Sequence, residues 1–156
     1  MCIELPNPVN HFYAAHLNLL LTSYETLLNK PWVASYGEIS PEQIYHADFA
    51  LLSHNAEQDP LFNYANCTAQ TLFELTWDEF IGMPSRLSAE ALLREERERV
   101  LARVAASGYI SDYSGVRIAK SGKRFLIKQA VVWNVFDRQG AYYGQAACFS
   151  EWTNLP

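Results

Sequence analysis

The stretch FALLSHNAEQDPLFNYAN, residues 49–66, holds two short apolar runs separated by a turn signal. Phe49-Ala50-Leu51-Leu52-Ser53 has the length of a buried strand, and Asp59-Pro60 marks the turn into a second run, Leu61 to Ala65. The two read as an antiparallel hairpin. Asn66 then stands where strand gives way to a helix carrying Leu72, Phe73 and Leu75, and its side-chain oxygen can accept from a free N–H of the first turn. Thr76 and Glu79 have the spacing of a capping box around Trp77 and Phe80, and Gly82, Met83 and Pro84 end that short helix.

Downstream, Ser88 opens the best helical pattern, which reaches about Ser107 with Gly108 as its stop. Leu92, Leu93, Val100, Leu101 and Val104 make its apolar face, while Glu90 with Arg94 and Glu95 with Arg99 are spaced to pair on a solvated one. Three strands follow, about Tyr109 to Ala119, Lys123 to Phe136 and Ala141 to Glu151, and their short Gly-bearing connections imply antiparallel neighbours. Simple alternation along the middle strand puts Phe125, Ile127, Gln129, Val131, Trp133 and Val135 on one face. The other then carries Arg124, Leu126, Lys128, Ala130, Val132, Asn134 and Phe136. Both faces are partly apolar, so both are expected to be covered over part of their length.

The cover for the second face lies upstream. Asn7-Pro8 is a helix start, and a helix from about Pro8 to Leu28 would present Phe12, Leu17, Leu20, Tyr24, Leu27 and Leu28 as a wide apolar stripe. Lys30-Pro31 ends it, and Ser40 with Gln43 caps a further short helix. The expected fold class is therefore α+β. An antiparallel sheet of about five strands carries helices on one face and the N-terminal helix on the other. Residues 1–48 form a helical flank and 49–156 the main domain, together one compact unit.

With 49% hydrophobic and 13% aromatic residues in 156, the chain is expected to bury a large aromatic core. A net charge of -5 without a basic patch argues against a nucleic-acid partner. Cys2, Cys67 and Cys148 match neither a disulfide framework nor a zinc spacing. The N-terminal apolar run is amphipathic rather than a continuous span of about 20 residues, so no membrane partner is expected and the location is read as cytoplasmic.

Catalytic signals are weak. His11, His16, His46 and His54 are scattered, which does not make a metal site; Ser53, His54 and Asp59 are near in sequence without the geometry of a triad; and phosphate loops are missing. A non-enzyme without cofactor is the reading. The candidate ligand pocket centres on Gln129, a costly polar resident among Phe125, Ile127, Val131 and Trp133, with Tyr64 and Asn66 as a second group. Asn66 serves first as a cap, and Trp133 first as core. Arg86, Arg94, Arg97 and Arg117 are solvated by default, but Arg86 beside Pro84-Ser85 and Arg117 within a strand could instead pair with Glu or Asp and lock the helix onto the sheet, the reading favoured for Arg117.

From Phe49 to Trp152 the chain resembles the MEKHLA domain, a PAS-related family found in small bacterial proteins and at the C-terminus of plant class III homeodomain-leucine zipper proteins. The resemblance rests on Ser53-His54, Asp59 to Asn66, Leu72-Phe73-Glu74, Trp77, Pro84 to Glu90, Arg94-Glu95-Glu96-Arg97, Tyr113 to Ile118, Val132-Trp133-Asn134 and Gly144 to Ala147. It implies a PAS-like fold used in sensing or in protein–protein association. Cys67 lies in Asn66-Cys67-Thr68 and lacks the Asn-Cys-Arg-Phe-Leu-Gln string of flavin-binding light sensors of the PAS class, so a colourless protein is expected. The expected function is a sensory module that binds a small, largely apolar molecule without catalysis. The alternative is a homodimerisation module with a solid core and no ligand.

Overall fold

The structure, a computed structural model, describes residues 4–89 and 91–156. Its centre is a six-stranded antiparallel sheet. The strands are β1 (Ala50–Asn55), β2 (Phe62–Ala65), β3 (Tyr109–Ile118), β4 (Arg124–Phe136), β5 (Tyr142–Phe149) and β6 (Glu151–Asn154). They run in the order β2-β1-β5-β4-β3, with β6 also paired to β4. The helices are α1 (Ala14–Leu28), α2 (Val33–Tyr36), α3 (Pro41–Tyr45), α4 (Cys67–Phe73), α5 (Trp77–Phe80) and α6 (Ala91–Ser107).

The hairpin of β1 and β2 forms as its sequence implies, with Leu52 opposite Ala65 and Ser53 opposite Tyr64. Capping places the short helices where expected. Ser40 and Gln43 close a capping box at α3, Thr76 and Glu79 another at α5, and the Asn66 side chain accepts from Ala69 N at the start of α4. Each bond satisfies an N–H that the first helical turn otherwise leaves free.

Two cores sandwich the sheet, because alternate β1 residues point opposite ways. Leu51 faces one with Leu17, Leu20 and Tyr24 of α1, together with Val131, Trp133, Val135 and Cys148. Leu52 faces the other with Phe73 of α4, Phe80 of α5, Val104 of α6, and Phe125, Ile127, Ala130 and Val132. The N-terminal helix thus covers one face and the remaining long helix the other. Its dock includes a fully buried Trp133, whose Nε1 donates to Leu20 O at 2.9 Å and whose ring meets Tyr24 edge-on at 5.2 Å.

Sequence alternation misassigns the faces of β4, and the cause is a bulge. Gly115 lies opposite Ile127 and Tyr113 opposite Ala130, so β4 spends three steps where β3 spends two. Gln129 takes the extra place in the left-handed region, φ 53°, with its side chain exposed. The slip moves Phe125 and Ile127 to the face of Ala130 and Val132, away from Val131, Trp133 and Val135. Gln129 therefore does not sit in an apolar face, which corrects the expectation on which its pocket role was built.

Other expectations shift by local chemistry. Helix α1 begins at Ala14 rather than Pro8. Asn7 Oδ1 accepts from Val9 N and Asn10 N, Asn10 Oδ1 accepts from Asn7 N, and both side-chain amides donate to Leu5 O, which closes a local turn instead of a helical one. His11, Phe12 and Tyr13 then pass through left-handed backbone, with φ of 54°, 51° and 60°. Ser88 lies in a 3-10 turn, Ser85–Ser88, and donates to Ser85 O. The expected last strand is broken at Ser150 into β5 and β6. The pairing of Glu90 with Arg94, and the apolar roles of Leu92 and Leu93, lie outside the described residues. Glu95 and Arg99 form no ion pair with each other, whereas Arg86 pairs with Asp59 and Lys120 with Glu79.

Candidate functional site

Between the sheet and α6 lies an interior cavity of about 70 Å³. Strand β1 brings Leu52, Ser53 and His54 to it; β4 brings Ile127, Ala130 and Val132; β5 brings Gln145 and Phe149; and α6 brings Arg97, Val100 and Leu101. Most of this lining is apolar. Its volume corresponds to roughly two water molecules' share of liquid, or somewhat less than half the cavity of about 150 Å³ that holds benzene in an engineered core.

Helix α6 is held over the sheet by a buried polar rung. Asn134 and Gln145 are opposite residues on β4 and β5. Asn134 Nδ2 donates to Val104 O at 3.0 Å, while Gln145 Nε2 donates to Asn134 Oδ1 at 3.0 Å and to Leu101 O at 3.3 Å. Carbonyls near the end of a helix are thereby joined to the sheet. The same bonds orient the Gln145 amide, leaving its Oε1 without a partner among the described residues.

Two further side chains converge here. Arg97 is 6% exposed, and among the described residues its one hydrogen bond runs from Nη2 to Ser85 Oγ. No described carboxylate lies within ion-pair distance of it. Burial, and secondarily the neighbouring Arg117, draw its pKa down to about 10, so it remains a cation at neutral pH. His54 is 8% exposed; its Nδ1 donates to Asn55 O at 2.9 Å, which leaves Nε2 as an acceptor with no donor aimed at it among the described residues. Burial chiefly, and Arg97 as well, hold the ring below the usual histidine range, against the raising effects of the Asn55 carbonyl and of the Gln145 side chain, which faces the ring. It is neutral at neutral pH.

Tyr113 and Arg117 complete the wall. The Arg117 guanidinium lies 5.4 Å from the Tyr113 ring centroid, and its Nη1 donates to Val116 O rather than to an acid as expected. Gly115 is required by this packing, since a Cβ there would come within 2.0 Å of Tyr113 Oη. Arg86 does pair with an acid, its Nε meeting Asp59 at 3.2 Å on the surface.

Of the seven residues read as pocket candidates, Ile127 alone lines this cavity. Phe125 is behind it against Phe73, ring centroids 5.1 Å apart. Val131 and Trp133 face α1, and Tyr64 is buried on that same side beside Tyr13, His16 and Trp77. Asn66 is fully committed to backbone: it accepts from Leu51 N and Ala69 N and donates to Ile44 O and Phe49 O. Such a side chain has nothing left to offer a ligand. Arg97, read as solvated, is the main omission. A signal was present, because it precedes Val100 by three residues and Val104 by seven on one helical stripe.

On the opposite face a second polar chain ties α1 to the sheet. His16 Nε2 lies 2.9 Å from Ser53 Oγ, His16 Nδ1 lies 2.9 Å from Tyr143 Oη, and Ser53 Oγ donates to Asn63 Oδ1 at 2.6 Å. Because the single Ser53 proton goes to Asn63, the hydroxyl accepts from the imidazole and is not activated by it. Burial takes the His16 pKa down to about 4. No group of three metal-ligating side chains occurs among the described residues, and none of their helices is long and apolar enough to cross a membrane.

Residues 14–154 match the MEKHLA domain family. Solved structures with the same architecture are PAS and light-oxygen-voltage domains. The PAS domain of a protein from Colwellia psychrerythraea superposes with a TM-score of 0.59 at 14% identity, over 73% of this chain and 92% of that one. The fungal blue-light photoreceptor Vivid, in its light-state dimer, gives 0.53 at 17% identity over 67% and 78%. An RNA-binding light-oxygen-voltage receptor gives 0.56 at 14% identity over 69% of this chain and 30% of that one. At these identities the likeness is one of fold. No curated protein matches.

Proposed function

From its place in the MEKHLA family, to which this chain belongs, we infer that the protein is a PAS-like sensory module that binds a small molecule in the cavity beneath α6 and performs no catalysis. The carrying observation is the cavity itself. A mostly apolar interior space with a few converging polar groups is the usual form of a small-molecule site. Its lining favours a compact, largely apolar occupant. The helical flank and the main domain act as one unit, with no nucleic-acid or membrane partner, in a cytoplasmic setting.

The signal passes to α1 through β1. Ser53 lines the cavity and bonds His16 of α1, so a ligand that favours one position of β1 favours one position of the helix. Its effect is limited to its difference in affinity for the two arrangements. Thermal-shift screening with compact probes, followed by amide exchange of α1, tests the reading. A probe that raises the melting temperature and slows exchange in residues 14–28 supports it; a library of such probes without effect on either refutes it.

Homodimerisation through a solid core has less support. The α1 stripe that would serve it is spent within the chain, since Leu17, Leu20 and Tyr24 are buried against the sheet.

A further inference from the structure

The proposed sensory reading leaves the ligand's chemistry open, while one buried charge and the size of the cavity specify it. We propose that the occupant is the smallest carboxylate, formate, with both oxygens on the Arg97 guanidinium and its C–H against Ile127, Ala130 and Val132. This inference rests on the sensory reading and adds the ligand class.

Arg97 is the anchor. Its guanidinium carries five N–H donors in a planar fork, and among the described residues one of them is used, from Nη2 to Ser85 Oγ. After burial, the first influence on its pKa is Arg117; Tyr113 also acts on it, and it acts in turn on His54. All three line the cavity, so the positive group stands at this space rather than in solvent. Glu98 and Asp59 are felt only from beyond ion-pair distance, Glu98 from an exposed position and Asp59 while paired with Arg86. A buried guanidinium without a counter-charge in contact loses hydration that nothing replaces. An anion in the cavity is the missing partner.

The rest of the wall limits how many oxygens that anion can carry. Ser53 donates to Asn63 and Ser88 to Ser85 O, while Gln145 donates to Leu101 O and Asn134 Oδ1 and faces the His54 ring. Those donors are committed within the chain, so the oxygens of the ligand fall to Arg97. A planar carboxylate places two oxygens at the spacing of the fork. A linear anion such as azide offers it a single end, and tetrahedral phosphate would leave oxygens unpaired against apolar carbon.

Size selects within the carboxylates. Scaled from benzene in a cavity of about 150 Å³, about 70 Å³ holds about three non-hydrogen atoms, the number in formate. Acetate exceeds it by a methyl group, and larger acids exceed it further. Nitrite has the same bent shape and size, yet it turns a nitrogen lone pair toward the apolar wall where formate turns a C–H. So small a ligand binds weakly. At the per-atom ceiling for the best tiny ligands, its dissociation constant is about 0.5 mM or higher.

The test is an NMR titration of the isotope-labelled full chain with formate, acetate, nitrite, chloride and methanol. It follows the amide signals of Ser53, Arg97 and Ala130 and is repeated on Arg97→Lys and Ile127→Val. Formate should shift these signals in the millimolar range and bind about tenfold or more tightly than acetate, the discrimination that an extra methyl group imposes in a closed pocket. Nitrite and chloride should bind more weakly than formate. Arg97→Lys should weaken formate by about tenfold or more while keeping the charge. Ile127→Val, which opens room for a methyl group, should narrow the gap between formate and acetate. Thermal melts identify a variant that fails to fold, and the wild-type ranking then decides alone. If acetate, nitrite or chloride matches formate on the wild type, or if folded Arg97→Lys binds formate as the wild type does, the assignment is wrong. If methanol binds and formate does not, the ligand class is wrong and the sensory reading stands. If no probe shifts these signals, this inference falls, and the sensory reading is then decided by the broader thermal-shift screen.

Discussion

Replacing Asn66 by alanine should cost more than any other single polar substitution considered in this chain. The side chain is fully buried and makes four backbone bonds: from Leu51 N at 3.1 Å and Ala69 N at 3.2 Å, and to Ile44 O at 3.0 Å and Phe49 O at 2.8 Å. Ile44 O also accepts from Ala47 N, so its loss is partial. Two N–H groups and one carbonyl remain, and each buried group left without a partner costs about 1–3 kcal/mol. Some relaxation around the site gives a net of about 3–5 kcal/mol, a large part of the roughly 5–15 kcal/mol that holds a typical domain together. Asn66→Asp separates the components. It keeps both accepted bonds, but at neutral pH turns a carboxylate toward the two carbonyls; acid restores one donor. The Asp variant should therefore lose less stability relative to wild type near pH 4 than near pH 7. Urea unfolding followed by tryptophan fluorescence measures both. An Asn66→Ala variant within about 1 kcal/mol of wild type would refute the view that Asn66 joins α3, β1 and α4.

Stability should also depend on His16. Its pKa, about 4 in the folded chain against 6.5 for a free imidazole, means the unfolded state takes up the proton first as pH falls. Stability is then full above about pH 6.5 and declines toward pH 4 by up to about 3 kcal/mol. His54 acts in the same direction. His16→Gln should flatten part of this decline in urea melts across that range; an unchanged slope would mean that His16 is not buried neutral. Trp133→Phe should cost about 1–2 kcal/mol by losing the bond to Leu20 O, and should quicken amide exchange in α1 more than in α6; equal effects on both helices would argue against its role in the α1 dock. Gly115→Ala should cost about 1–3 kcal/mol, because the added Cβ displaces Tyr113. The additional substitution Tyr113→Phe should recover part of that loss, and no recovery would show that the hydroxyl is not the obstacle. Finally, calorimetric unfolding should show one transition for flank and main domain together, since α1 packs against β4; two separate transitions would show that they are independent units.

The fold was largely legible because its local signals agree with its tertiary contacts. The capping boxes at Ser40 and Thr76, the Asn66 cap and the Asp59-Pro60 turn each mark an element boundary through chemistry confined to a few residues. The two partly apolar faces of β4 implied two covering layers, and α1 and α6 supply them. The site was poorly legible because one inserted residue changes which residues share a face. Gln129 has no special composition, and only its pairing with β3 reveals a bulge. Every pocket assignment drawn from strict alternation inherited that one-residue slip. Arg97 was obscured for a different reason: a charged residue in an acid- and base-rich helix reads as solvated, although its position on the Val100 and Val104 stripe points inward. His54 and Gln145 come together only through the pairing of β1 with β5, where they are opposite residues.

Whether the interior beneath α6 is a binding site is decided by a crystal structure of protein purified gently and without added small molecules. That structure should show an open cavity beside Arg97, His54 and Gln145 holding compact density that ordered water does not explain. A cavity closed by its own side chains, with Arg97 paired to a carboxylate of the chain, would contradict it.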